Sequence, residues 1–289
     1  MSAALQPLEV GICSWSAGAH LAKPLQRVLR QLSVRVAQLG VAPLLELPAT
    51  KRRLALKDLA SSGINFSAAM ISFQGEDYSD RAAIKMTGGL VPTKMFPARL
   101  RRAADAAKVC QTLGIGLLSM HVGFIPQPGE KKAFTQMLDR VRKLADALAK
   151  CEVTLVLETG QETAPTLLAL LEGAKRRNLG VNFDPANMVL YGSGSPTEAA
   201  ELLAPWVKHV HAKDARKSRF ALEDAWRGTE APLGAGDAEL VDVIRILYSR
   251  GYLGPLVIER ESGNLSLERL QREVDFLRDA VERLRQSEV

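Results

Sequence analysis

Residues 153–187 read VTLVLETGQETAPTLLALLEGAKRRNLGVNFDPAN. Two apolar, β-prone runs, VTLVLETG at 153–160 and LGVNFDPAN at 179–187, flank a segment of helix length that closes on Asn178. Near-continuous apolar runs mark strands covered on both faces, the condition of a parallel sheet, and parallel neighbours need a crossover of about a dozen residues or more, usually a helix. A helix that stops at Asn or Gly fits that crossover. The stretch is therefore one strand–helix–strand unit, and both of its strands end on a carboxylate, Glu158 and Asp184.

The same alternation recurs on either side. LEVGICSWS (8–16), APLLELPA (42–49), INFSAAMISF (64–73), GIGLLSMHVG (114–123), VKHVHAKDA (207–215) and GPLVIERES (254–262) complete a set of eight candidate strands. Helical patterns such as RRAADAAKVCQTLG (101–114) and FTQMLDRVRKLADALAKC (134–151) lie between them. The last segment carries Leu270, Val274, Leu277, Val281 and Leu284 at steps of four and three, the stripe of a helix packed on one side. Eight strand–helix repeats in 289 residues predict an α/β fold, a single (β/α)8 TIM barrel, as one domain over 1–289. An open doubly wound sheet would place GxGxxG after its first strand, and GICSWSAGAH at 11–20 is not that. The expected strand ends are Ser16, Pro48, Phe73, His121, Glu158, Asp184, His211 and Glu259.

Apolar residues make up 47% of the chain and charged ones 24%, the balance of an ordinary globular protein. No apolar run approaches the roughly 18 residues of a membrane helix. The start, MSAALQPLEV, has no signal-peptide pattern, so a cytoplasmic protein with no membrane partner is expected. Cys13, Cys110 and Cys151 are widely spaced and form no CxxC, which implies neither a disulfide nor a structural zinc. The net charge of +6 allows attraction to phosphate. The KRR clusters at 51–53 and 175–177 sit in helical or helix-end contexts, which leaves the cations after His211 as the group placed to do chemistry.

In a barrel of this kind, chemistry collects at the C-terminal ends of the strands. The polar residues there are His121, Glu158, Asp184, His209 with His211, and Glu259. His209 and His211 are two apart and share a face, with Val210 on the other. Several carboxylates and an imidazole desolvated together raise one another's pKa values, and a divalent cation supplies the compensation.

His121 in MHVG, Glu158 in LETG, Asp184 in FDPAN, His211 in HVHAKDA, LGAGD at 233–237 and Glu259 in VIERE resemble the xylose-isomerase-like barrel superfamily over nearly the whole chain. That superfamily holds sugar and sugar-phosphate isomerases and epimerases, among them ketose 3-epimerases, hydroxypyruvate isomerase, inosose isomerases and dehydratases, and repair endonucleases of the endonuclease IV type. The resemblance implies that the shared metal ligands fall on Glu158, Asp184, His211 and Glu259. Two departures bear on the substrate. Asn187 stands where the epimerases and the endonuclease commonly carry His, and RGTEAPLGAGD at 227–237 has no histidine for further zinc ions, which disfavours a nucleic-acid partner.

An oxygen-rich set with one imidazole suits Mn²⁺ or Mg²⁺ first, with Co²⁺ and Zn²⁺ as alternatives. The expected chemistry is proton abstraction beside a metal-polarised carbonyl, through an enediolate, with Glu158 and Glu259 as acid and base on opposite sides of the substrate. Its partner is then a small carbohydrate or sugar phosphate; a homo-oligomer is compatible with the sequence. His121, Asn187 and His209 are expected to orient the substrate or support the ligands, and Trp15 to cover the sugar ring. Lys213, Arg216, Lys217 and Arg219 open a long loop to Asp237 and are expected to grip a phosphate or carboxylate, or else to be solvated partners of Glu223, Asp224 and Glu230. A dehydratase using Lys213 at the leaving hydroxyl is the rival within the fold.

Overall fold

The computed structural model describes residues 8–218, 227–261 and 266–286. Its strands are β1 (Val10–Cys13), β2 (Val36–Gly40), β3 (Asn65–Met70), β4 (Leu117–Met120), β5 (Thr154–Glu158), β6 (Leu179–Phe183), β7 (Val207–Ala212), β8 (Asp214–Lys217), β9 (Gly228–Ala231) and β10 (Leu256–Ile258). All but β8 and β9 close into a parallel barrel, in the ring order β1, β2, β3, β4, β5, β6, β7, β10, with helices on the crossovers. This is a single (β/α)8 TIM barrel. Among the described residues no helix is long and apolar enough to cross a membrane.

The second strand corrects the sequence reading. APLLELPA is not a strand: Ala42–Leu45 is a short helix with Pro43 in its first turn, and β2 is the preceding VAQLG, buried at every position. Proline lacks the N–H a central strand must donate but suits the first turn of a helix. The strand was concealed because Gln38 and two small residues interrupt its apolar run. Other strands stop short of the expected ends: β1 at Cys13 and β3 at Met70, while His121, Asp184 and Glu259 each fall one residue past a strand. That places their side chains on the rim, just past the last strand residues.

Two register shifts occur in the barrel wall. Ser67 is an extra residue in β3 opposite Ala37 and Gln38, and Lys208 is extra in β7 opposite Val181 and Asn182. Such bulges re-aim side chains. Beyond the second one His209 pairs with Asn182, and both His209 and His211 are completely buried. The last helix, Leu267–Gln286, buries Leu270, Val274, Leu277, Val281 and Leu284, as its spacing predicts, and packs on β1 and β10. The long connection after β7 is an antiparallel hairpin of β8 and β9, with Asp214 opposite Ala231 and Lys217 opposite Gly228.

Candidate active site

Neighbouring strand ends are locked by paired hydroxyl contacts. Thr159 Oγ accepts the Asp184 amide at 2.8 Å and donates to the Asp184 carbonyl at 3.0 Å, joining β5 to β6. Ser16 does the same for Arg260, at 2.7 and 3.1 Å, joining the exits of β1 and β10. Asp184 also caps the helix Pro185–Tyr191, its Oδ1 accepting the Asn187 amide at 2.9 Å. These contacts fix the rim before any ligand arrives.

Glu158, Asp184, His211 and Glu259 converge there, with one donor atom from each lying within 4.8 Å of all the others. None is more than 2% exposed. His211 Nδ1 stands 3.2 Å from Glu259 Oε2, 3.3 Å from Glu158 Oε1 and 3.6 Å from Asp184 Oδ2. Glu158 Oε2 and Asp184 Oδ2 are buried without a hydrogen-bond partner. Orphaned carboxylate oxygens are costly in a dry site unless something cationic meets them. Three carboxylates and one imidazole, with two of the oxygens accepting no hydrogen bond, are a donor set that fits a divalent ion.

Lys213 is drawn into this cluster rather than out on the loop. Its ammonium is fully buried, 3.0 Å from Glu259 Oε2, 3.1 Å from Asn187 Oδ1, 3.3 Å from Glu261 Oε2 and 3.6 Å from Asp184 Oδ2. Burial opposes its charge, but the Glu259, Glu261 and Asp184 carboxylates outweigh burial and hold its pKa well above the ordinary value. Burial would likewise raise Glu259, yet His211 and Lys213 hold it well below the usual carboxylate range. For Asp184 burial wins over Lys213 and its pKa is raised. His211 is raised because Glu259 and Glu158 overcome its burial, whereas His209, buried beside the His211 cation, is pushed well down.

The remaining expected residues divide into two groups. His121 Nε2 lies 3.5 Å from Glu158 Oε1, Asn187 Nδ2 donates to the same oxygen at 2.9 Å, and Trp15 Nε1 donates to Glu259 Oε1 at 3.1 Å. All three line a cavity of about 680 Å³ above the cluster, together with Lys213 and Glu259. His209 lies below it, bonded to Asn182 Oδ1 at 2.9 Å and Ser67 at 3.0 Å, and is not a wall residue. Arg216 and Lys217 sit on β8, also outside the wall: the Arg216 guanidinium donates to the Ala235 carbonyl, and the Lys217 amide to Asp237. Glu230 pairs with Arg260 at 2.9 Å. Arg219, Glu223 and Asp224 lie outside the described residues.

Sequence reasoning missed Gln38, Asn182, Tyr78, Tyr191 and Glu261. Tyr78, Tyr191 and Glu261 stand in the cavity wall, the tyrosines beside Met70 and Leu190. Gln38 Oε1 lies 2.6 Å from His211 Nε2. Only Asn182 carried a signal, as a polar residue inside the apolar run VNF.

A family model described as "Xylose isomerase-like TIM barrel" matches residues 38–280. The chain belongs to that family. No curated protein matches it closely enough to lend it an activity. Among solved structures, a xylose isomerase domain protein from Planctomyces limnophilus is similar at 29% identity and a TM-score of 0.83, covering 98% of this chain and 99% of that one. A xylose isomerase-like TIM barrel protein from Mycobacterium smegmatis, in complex with magnesium, shares 18% identity at a TM-score of 0.70, covering 96% and 97%. D-psicose 3-epimerase from Clostridium cellulolyticum H10, solved with D-tagatose, shares 15% identity at 0.69, covering 96% and 99%. The last two likenesses are of fold.

Proposed function

We propose that this chain is a metal-dependent isomerase or epimerase that moves a proton beside the carbonyl of a small sugar or polyol ketone. One observation carries the reading: four buried donors, three of them carboxylates, converge within 4.8 Å at the floor of a cavity, and two of their oxygens accept no hydrogen bond. Glu158, Asp184, His211 and Glu259 would hold one divalent ion, Mn²⁺ or Mg²⁺ by the oxygen-rich set, with Co²⁺ or Zn²⁺ accommodated by the imidazole. That ion, when bound, polarises a carbonyl and makes the neighbouring C–H acidic. The fold neighbour with bound magnesium and the psicose epimerase are in keeping with this assignment.

The protein's own side chains move the proton. Glu158, its Oε1 held by Asn187, would take the proton from one side of the substrate. Glu259, held by Trp15 on one oxygen and Lys213 on the other, would be the second proton carrier, on the opposite side. His121 orients substrate hydroxyls, and Trp15, Tyr78 and Tyr191 pack against the C–H faces of the ring and keep water out. An ammonium has three protons, and those of Lys213 face Glu259, Asn187 and Glu261. Among the described residues Lys213 is the one lysine or arginine in the cavity wall, and Arg216 and Lys217 lie outside it, which favours an unphosphorylated substrate. Free Cys13, Cys110 and Cys151 suit a reducing compartment such as the cytoplasm.

The place of Lys213 in the cavity wall leaves a second reading, a dehydratase in which its ammonium gives up one of its contacts to protonate a departing β-hydroxyl. One experiment separates the two. Metal-loaded protein is incubated in D₂O with a panel of ketoses, ketose phosphates and keto-polyols. An isomerase or epimerase incorporates deuterium at the carbon beside the carbonyl; a dehydratase yields a product lighter by one water. Epimerised product with no solvent deuterium would point to a hydride shift and overturn the roles of the two glutamates.

A further inference from the structure

We propose that Gln38 is a positioning residue for His211 as a metal ligand: in the metal-bound ring its carbonyl takes the Nε2 proton, and Nδ1 is the nitrogen that faces the ion. The inference rests on the reading of His211 as a ligand. A neutral imidazole carries one N–H, and the partner of one nitrogen decides whether the other is free to bind a metal. In His211 the two nitrogens face different company. Nδ1 looks at Glu158, Asp184 and Glu259, all within 3.6 Å, and Nε2 meets Gln38 Oε1 at 2.6 Å.

The other neighbours of the ring do not take this role. Asn182 Nδ2 lies 3.1 Å from Nε2 and 3.5 Å from Nδ1. A group lying along one lone pair of a five-membered ring would be much farther from the second nitrogen, so the near-equal distances put this amide over the ring face. It is a donor in any case, and it also donates to Ser119 Oγ at 3.0 Å. Cys13 Sγ is 3.9 Å from Nε2 and donates to Gln38 Oε1 at 3.3 Å. Gln38 Oε1 is thus the acceptor that remains for the ring N–H.

Two further features point to the same use. Gln38 Nε2 is buried without a partner, so of the whole amide only the oxygen is engaged. Gln38 is moreover a polar residue in a strand buried at every position, and the extra residue Ser67 shifts the β2–β3 register directly opposite it. Buried polar groups are tolerated where they are paired, and bulges re-aim side chains. Both devices converge on the side of His211 away from the cavity.

The test uses the full-length protein labelled with ¹⁵N-histidine, since only four histidines contribute signals, and Zn²⁺ as a diamagnetic probe. Affinity is read by competition with a chelator, and the ring tautomer by long-range ¹H–¹⁵N spectra. The wild-type complex should show one histidine with a metal-bound Nδ1 and an exchange-protected Nε2–H. Gln38→Leu should weaken Zn²⁺ binding by about 10–100-fold, the size of effect for a lost ligand partner, and remove that protection. Gln38→Glu keeps the acceptor and discards an N–H that has no partner, so it should bind at least as tightly as wild type. Wild-type affinity and an unchanged His211 ring in Gln38→Leu overturn the proposal; if that variant does not fold, lost affinity in a folded Gln38→Glu overturns it instead. Should His211→Ala bind Zn²⁺ as well as wild type does, the ligand assignment itself fails and takes this inference with it.

Discussion

Lys213→Met is the perturbation that separates a metal centre from a mere buried ion-pair network. In the metal-free chain the Lys213 ammonium is the lysine charge set against the buried cluster, 3.0 Å from Glu259 and 3.6 Å from Asp184. Removing one partner of a buried ion pair leaves an uncompensated charge and costs about 3–5 kcal/mol. At roughly 2–4 °C per kcal/mol, the figure for chains of 150–250 residues, Tm should fall by on the order of 10 °C in EDTA. A divalent ion restores positive charge among the same carboxylates, so saturating Mn²⁺ should recover much of that loss and stabilise the variant more than it stabilises wild type. Thermal melts of both proteins, with EDTA and with Mn²⁺, give the four numbers required. Equal Tm values for the two proteins in EDTA, or a loss of the same size with and without Mn²⁺, would mean that Lys213 and the ion do not compensate the same carboxylates.

Glu158→Gln and Glu259→Gln keep shape but lose the proton carrier, so turnover should fall by at least about 10²-fold with little change in circular dichroism; wild-type rates in either would reassign the acid–base pair. Leu277→Ala, in the fully buried stripe of the last helix, should cost about 2–5 kcal/mol in denaturant unfolding while leaving metal affinity intact. Asp214 accepts the backbone amides of Ala215, Gly234, Gly236 and Ala238, so Asp214→Ala should free the segment after β9 and speed its cleavage in limited proteolysis. Burial pushes the Glu162 carboxyl up to about 8 from an ordinary 4.5. An acid whose folded pKa is raised binds more protons folded than unfolded, so its stabilising effect is complete below 4.5 and is lost as pH rises to about 8. Glu162→Gln should therefore gain stability relative to wild type at pH 8 and not at pH 4.5, and a constant difference across that range would contradict the burial argument.

The barrel was legible because its strands are short apolar runs separated by helices, and seven of the eight read correctly from that pattern alone. The exception, β2, shows the limit. APLLELPA has the stronger apolar signal, but Pro43 makes it a helix start, while VAQLG hides a strand behind a buried glutamine. The four converging donors were legible for a related reason: Glu158, Asp184 and Glu259 each follow a tight apolar run that fixes where the chain leaves the barrel. What could not be read was anything set by packing across the barrel. Gln38 reaches His211 over 173 positions of sequence, and Asn182 meets Ser119 over 63. Lys213 looked like the first of a cluster of loop cations, yet it is buried at the site while Arg216 and Lys217, a few residues on, sit at the surface of the hairpin. Lys213 is the single residue between β7 and β8, two past the buried His211, whereas Arg216 and Lys217 lie farther along β8, and a run of cations read as one loop cluster hid that difference.

If Glu158, Asp184, His211 and Glu259 hold one divalent ion, the metal stoichiometry of the purified chain after stripping and reloading with Mn²⁺ will show it, measured beside Asp184→Ala and His211→Ala variants of verified fold. One tightly held ion per wild-type chain, with none in either variant, is the predicted result. Wild-type stoichiometry in both variants, or no tightly held ion in the wild type, would contradict it.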